Sequence, residues 1–174
     1  DLHQEINGLE SNWTEDALHF FLEDGNTLQL PVARRSVTSI KVGTDCSGIE
    51  VPLMALQNMQ VPYDHVFSCD NDQSVIKQHQ ANHSPQYFYP DIQSRDVSQM
   101  PYVDVYIAGF PCQPFSVAGK QEGFDDQQGR GEIFFNVRDY IKMKTPKLFI
   151  LENVKGLVKI QNGRNLKRIL KELR

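Results

Sequence analysis

With 174 residues, 40% of them hydrophobic, the chain suits one globular domain with room for a core. No apolar run approaches the roughly 18 residues of a membrane-spanning helix, and no basic-then-apolar leader opens it. A net charge of −4 is a poor footprint for gripping nucleic acid by bulk charge alone. The charge is uneven, however. From Lys155 onward, Lys155, Lys159, Arg164, Lys167, Arg168, Lys171 and Arg174 face only Glu172. That run reads either as a solvated helix face or as a phosphate-facing surface. Cys46, Cys69 and Cys112 are odd in number and lack metal-binding spacing. They point to a reducing, intracellular compartment (nucleus in a eukaryote, cytoplasm in a bacterium) and away from a zinc site.

Residues 1–36 read as an N-terminal extension. Thr14 can cap a short helix from Glu15 to Leu22, and Leu28–Val32 can form an edge strand, because Pro31 cannot donate to a central ladder. From Val37 the pattern is regular. Strands are predicted at Val37–Gly43, His65–Cys69, Gln86–Tyr89, Tyr102–Ala108 and Lys147–Leu151. Helices are predicted at Ile49–Asn58, Gln73–Asn82, Arg130–Lys144 and Asn162–Arg174, with Asp45–Gly48 as a turn and Pro52 tolerated only in a first helical turn. Such alternation implies an α/β fold with a doubly wound, mostly parallel sheet.

In such sheets, ligands bind outside the carboxyl ends of the strands. Asp70, at the end of the second strand, is placed to accept two ribose hydroxyls, since a carboxylate accepts bidentately. A plain helix cap is the competing role for Asp70. Ser47-Gly48 would offer backbone N–H groups and a helix N-terminus. Asp91 can accept an exocyclic amine, with Ile92 against the ring.

The fourth strand stops abruptly at Gly109-Phe110-Pro111-Cys112-Gln113-Pro114-Phe115-Ser116. An isolated thiol is ordinarily a small buried hydrophobe. Here two prolines fix the backbone on either side, so Cys112 is expected on a stiff loop at the ligand-binding rim. A thiol held there is badly placed for packing and well placed for attack.

Pro111-Cys112-Gln113-Pro114-Phe115-Ser116, followed by Glu152-Asn153-Val154 after the next strand, resembles the cytosine-5 DNA methyltransferase family. The resemblance implies the S-adenosylmethionine-dependent methyltransferase (Rossmann-like) fold and that cofactor. It assigns the methionine part to Cys46, Ser47, Gly48 and Ile49, the ribose to Asp70 and Asn71, and the adenine to Asp91 and Ile92. Gly109 and Pro111 would line the same pocket. Cys112 would add to C6 of a cytosine flipped out of DNA, Glu152 would hydrogen-bond its ring, and Asn153 would buttress the cysteine loop. Residues 116–126, with Gly119 and Gly123 as hinges, resemble the family's mobile loop. Where the family usually has Phe-Ala-Gly-x-Gly-Gly, this chain has Cys46-Ser47-Gly48-Ile49-Glu50-Val51, and Glu50 is expected to oppose the ligand's carboxylate. The match covers roughly Val42 to Arg174, so 37–174 reads as the N-terminal half of a catalytic domain. The recognition domain and later motifs would come from a missing C-terminal segment or a second polypeptide, with self-association as the other outcome, and the chain alone is expected to be inactive. A tRNA methyltransferase and a non-catalytic partner subunit are the competing readings.

Overall fold

The computed structural model describes residues 39–111 and 132–174, apart from the side chains of 160 and 161. The expectations for residues 1–36, for Cys112 and for residues 116–126 lie outside the described residues.

Five strands form one all-parallel sheet: β1 (Ile40–Asp45), β2 (Tyr63–Cys69), β3 (Tyr87–Tyr89), β4 (Val105–Ala108) and β5 (Leu148–Leu151). Their spatial order is β3-β2-β1-β4-β5. The chain therefore winds outward from β1 in both directions, and the order reverses between β1 and β4, where such sheets open a crevice. Between strands lie α1 (Val51–Asn58), α2 (Gln73–Asn82) and α3 (Ile133–Lys144), and after β5 come the short α4 (Gly156–Lys159) and α5 (Arg164–Leu173). A 3₁₀ turn over Ile160–Gly163 joins the last two. The sequence suggested one closing helix from Asn162. Gly163, at φ 72°, instead breaks the path, and α5 starts two residues later, at Arg164.

Side-chain alternation along β4 sends neighbours to opposite layers. Tyr106 and Ala108 join a core with Phe67, Phe134, Val137 and Tyr140. Ile107 turns the other way to meet Val42 and Leu53 of α1. β4 is thus covered on both faces, as its apolar run implied. The larger core is aromatic, with ring centroids 4.5 Å apart for Tyr106–Tyr140 and 5.2 Å for Phe67–Tyr140. On α3 the buried side is Phe134, Val137, Tyr140 and Ile141, with Lys142 and Lys144 in the last turn, where cations complement the helix dipole.

β1 runs two residues past its expected end, so Thr44 and Asp45 belong to the strand rather than to a turn. α1 starts two residues later than expected, with Pro52 in its first turn. Both shifts follow from what these polar side chains do inside the molecule.

Candidate cofactor and catalytic site

Register places the site. Asp45 pairs with Cys69 and with Ala108, Cys69 with Tyr89, and Ala108 with Leu151. All five strands therefore end level, and 46–49, 70–71, 91–92, 109–111 and 152–153 follow that one rim in turn.

The turn between β1 and α1 is tightly held. Ser47 N–H donates to the Cys69 carbonyl (3.0 Å) and Gly48 N–H to Asp70 Oδ2 (2.9 Å). Asp70 Oδ1 accepts from Asp72 N–H (3.0 Å). Capping of α2 falls instead to Asp72, which accepts from Ser74 and Val75 N–H. Asp70 therefore organises the rim and is not the α2 cap. Each of its oxygens keeps a second acceptor site. Gly48 sits at φ 54°, and a Cβ built there would meet nothing within 4 Å. Ser47 Oγ is buried without a partner among the described residues. An open cradle lined by an unsatisfied hydroxyl and a half-buried carboxylate suits a polar, hydroxyl-bearing cofactor such as S-adenosylmethionine. Asp91 Oδ1 accepts from Gln93 N–H (2.9 Å), which shapes the bend after β3. Ile92 is a core residue, 6% exposed, and Asn71 lies exposed beside Asp70.

Glu50 does not face the rim, which corrects the expectation that it opposes the ligand. Its side chain is fully buried. Its Oε1 accepts from Thr44 Oγ1 (2.7 Å) and Ser68 Oγ (2.5 Å) and lies 3.1 Å from His79 Nε2 and 3.5 Å from His65 Nε2. The backbone of Glu50 is left-handed, at φ 62° and ψ 43°. Glycine takes that conformation without strain, and the related motifs usually have glycine here. The glutamate keeps the bend and turns its carboxylate inward. Burial alone pushes the Glu50 carboxyl up. Hydrogen bonds from His65, Ser68 and Thr44 outweigh it, so the group stays below its ordinary value and is ionised. Burial pushes His79 down, and the bond to Glu50 only partly offsets that.

On the opposite face, Asp45 is buried and paired bidentately with Arg95, and it also accepts from the Tyr106 hydroxyl. The Arg95 side chain is 2% exposed. Its guanidinium carbon lies 5.8 Å from the Phe67 and Tyr89 ring centroids and 5.9 Å from that of Tyr140. This cluster ties the segment after β3 to the end of β1, directly beneath the rim. Sequence reasoning assigned nothing to Arg95, because no local pattern marks a partner 50 residues away. Burial, then the Asp45 and Asp70 charges, pushes the Cys46 thiol up to about 12. Burial likewise pushes Cys69 up. Neither is a thiolate nucleophile near neutral pH.

At the ends of β4 and β5 the remaining site residues converge. Glu152 N–H donates to the Ala108 carbonyl (3.0 Å), and a Cβ on Gly109 would lie 3.4 Å from Glu152 Oε2. The exposed Glu152 carboxylate thus sits directly against Gly109. Asn153 Nδ2 donates to the Phe110 carbonyl (2.9 Å), and Asn153 Oδ1 accepts from Val154 N–H (2.9 Å). That pair of bonds fixes the strand exit one residue before Pro111 and two before Cys112.

A sheet wound outward in this order, with its acidic and glycine positions level on one rim, has the S-adenosylmethionine-dependent methyltransferase (Rossmann-like) fold. A family model described as C-5 cytosine-specific DNA methylase matches residues 43–174, and the chain belongs to that family. Type II methyltransferase M.NgoBI of Neisseria gonorrhoeae is 44% identical over 110 residues, covering 63% of this chain and 34% of that protein. Type II methyltransferase M.HpaII of Haemophilus parainfluenzae is 38% identical over 146 residues, covering 83% and 38% respectively. The crystal structure of S. pombe Dnmt2 methyltransferase superposes with a TM-score of 0.52 at 18% identity, over 77% of this chain and 40% of that one, a likeness of fold. The chain spans about a third of the length of these curated relatives. Among the described residues, no helix is long and apolar enough to cross a membrane.

Proposed function

We propose that this chain carries the cofactor-binding and nucleophile-bearing part of a DNA (cytosine-5-)-methyltransferase. The observation that supports it most is the level rim, which brings the assigned groups from five separate strand ends to one crevice. Ser47, Gly48 and Ile49, with Cys46, bind the methionine part of S-adenosylmethionine; Asp70 and Asn71 bind the ribose; and Asp91 and Ile92 bind the adenine, beside Gly109 and Pro111. When bound, that cofactor supplies the electrophilic methyl group.

Cytosine C5 is a poor nucleophile until something adds at C6. The Cys112 thiolate forms a bond to C6 of a cytosine flipped out of DNA, and the ring electrons shift to C5. Glu152, hydrogen-bonded at N3 and the amino group, draws charge from the ring during the addition. C5 would take the methyl group with S-adenosylhomocysteine as the leaving group, then lose its proton to a water molecule as the C6–S bond breaks to return the thiolate. Asn153, bonded to the Phe110 carbonyl, positions the loop that carries Cys112. A second polypeptide or further segment supplies the target-recognition surface.

Two measurements test this. Asp70→Ala should weaken S-adenosylhomocysteine binding by roughly 1.5–3 kcal/mol in calorimetry, with a smaller loss in Asp70→Asn, which keeps an acceptor. Unchanged affinity would remove the ribose role. In an enzyme complemented with the remaining segments, Cys112→Ala should abolish covalent capture on DNA containing 5-fluorocytosine, whose fluorine cannot leave as a proton. Persisting capture would assign the nucleophile elsewhere.

A further inference from the structure

The inward turn of Glu50 creates a cluster that the methyl-transfer chemistry does not use. Its members come from four elements: Thr44 from β1, Glu50 from the turn before α1, His65 and Ser68 from β2, and His79 from α2. Four groups converge on one carboxylate oxygen, Oε1, while Glu50 Oε2 and His79 Nδ1 are both buried with no partner among the described residues. A hydrogen-bond network that built this cluster for its own sake would share donors between both oxygens. The ligating atoms of Glu50, His65 and His79 all lie within 4.8 Å of one another.

We infer that Glu50, His65 and His79 form a binding site for a borderline divalent cation of the Zn²⁺ or Co²⁺ type. The donor set of two imidazoles and one carboxylate suits those ions and not Mg²⁺ or Ca²⁺, which want oxygen shells. Bonds of 2.0–2.1 Å in a tetrahedron put ligand atoms about 3.3–3.4 Å apart. Here Glu50 Oε1 lies 3.1 Å from His79 Nε2 and 3.5 Å from His65 Nε2. Ser68 Oγ lies 2.5 Å from Glu50 Oε1, 2.7 Å from His65 Nε2 and 3.0 Å from His79 Nε2, closer to all three than a tetrahedral corner would be. A small outward shift of that hydroxyl opens the centre. Glu50 Oε2 then gains a partner as a second carboxylate contact, and His79, with Nε2 on the cation, carries its proton on Nδ1. A cleft of about 320 Å³ lined by Ile49, Met54, Gln78, His79, Asn82 and His83 adjoins the His79 side of the cluster. The His83 ring stands beside it, 5.2 Å from the His79 ring and 6.2 Å from the His65 ring.

The role is structural. A cation here fastens the β1–α1 turn to β2 and α2, on the inner side of the turn whose outer side carries Ser47 and Gly48.

The test uses the untagged full chain, stripped with a chelator and dialysed against Zn²⁺ or Co²⁺ with Mg²⁺ in excess. One equivalent should be retained, Co²⁺ should show visible ligand-field absorption, and Zn²⁺ should raise the melting temperature in step with occupancy. X-ray absorption at zinc in the wild type should read two imidazoles with oxygen and no sulfur, a result that needs no variant to fold. Glu50→Gln and His79→Gln, checked for native circular dichroism, should each lose at least about tenfold in affinity. Failure to retain a cation, sulfur in the coordination shell, or unchanged affinity in folded variants would each overturn the assignment. Cofactor binding is measured separately, so either result leaves the methyltransferase reading to its own tests.

Discussion

Two buried carboxylates, one on each face of β1, tie this strand end to its neighbours. Asp45 is buried against an aromatic core, where Arg95 and Tyr106 supply its hydrogen-bond partners. Asp45→Asn leaves Arg95 without its counter-charge and should cost about 3–5 kcal/mol in urea unfolding. Tyr106→Phe removes one hydrogen bond and should cost nearer 1 kcal/mol. Glu50 and His79 make stability pH-dependent in one direction. Both are held below their ordinary values, 4.5 and 6.5, in the folded chain, so the unfolded chain binds more protons over each interval. The contribution is present above the unfolded values and is lost on acidification. Loss should begin near pH 6.5 through His79 and continue below pH 4.5 through Glu50, seen as a falling urea midpoint. In His79→Gln the earlier limb should disappear. A midpoint that stays flat between pH 7 and 5 would contradict this account.

At the level of elements, β1 owes its position to an absence. A Cβ on Gly43 would meet the Phe67 ring at 2.3 Å, in the stretch where the β1–β2 register shifts between Val42 and Gly43. Phe67 is fully buried and cannot swing to solvent. Gly43→Ala should therefore cost about 1–3 kcal/mol by overpacking, read as a lower melting temperature with the secondary structure retained. The basic run resolves at this scale as well. Asn165 and Ile169 of α5 are buried, while Arg164, Lys167, Arg168 and Lys171 are exposed. Arg168 also stacks over Phe135, and Arg138 of α3 pairs with Glu172 at 2.7 Å. The cations thus line the outer side of an amphipathic helix whose inner side is anchored.

Across the molecule, β5 pairs only with β4 among the described residues, and Ile150 is 45% exposed on it. An apolar parallel edge of this kind tends to acquire another strand. The isolated chain should sediment as a concentration-dependent oligomer, and Ile150→Lys should shift it toward monomer. A wild type that stays monomeric at all concentrations would show that the edge is inert. With a net charge of −4, binding of this chain alone to duplex DNA should stay near the non-specific range of ~10⁻⁴–10⁻⁶ M and fall steeply with salt. Tight, salt-insensitive binding would mean that the exposed face of α5 is a dedicated DNA surface.

The sequence by itself determined the order of strands and helices, the strand ends that carry Asp70, Asp91 and Glu152, and the family motif around Cys112. Each of these is local: apolar runs, prolines, glycines and short spacings act over a few residues and can be read in order. The role of Asn153 came from the family resemblance alone, since its partner Phe110 lies 43 residues away. Only the tertiary structure decided where Glu50, Asp45 and Arg95 point. Glu50 had been expected at the ligand because the turn it occupies is a ligand turn. Its left-handed backbone and three distant partners, His65, Ser68 and His79, turn it inward instead. A charge goes where its burial is compensated, and the compensating groups are brought together by strand pairing, which no stretch of neighbouring residues encodes.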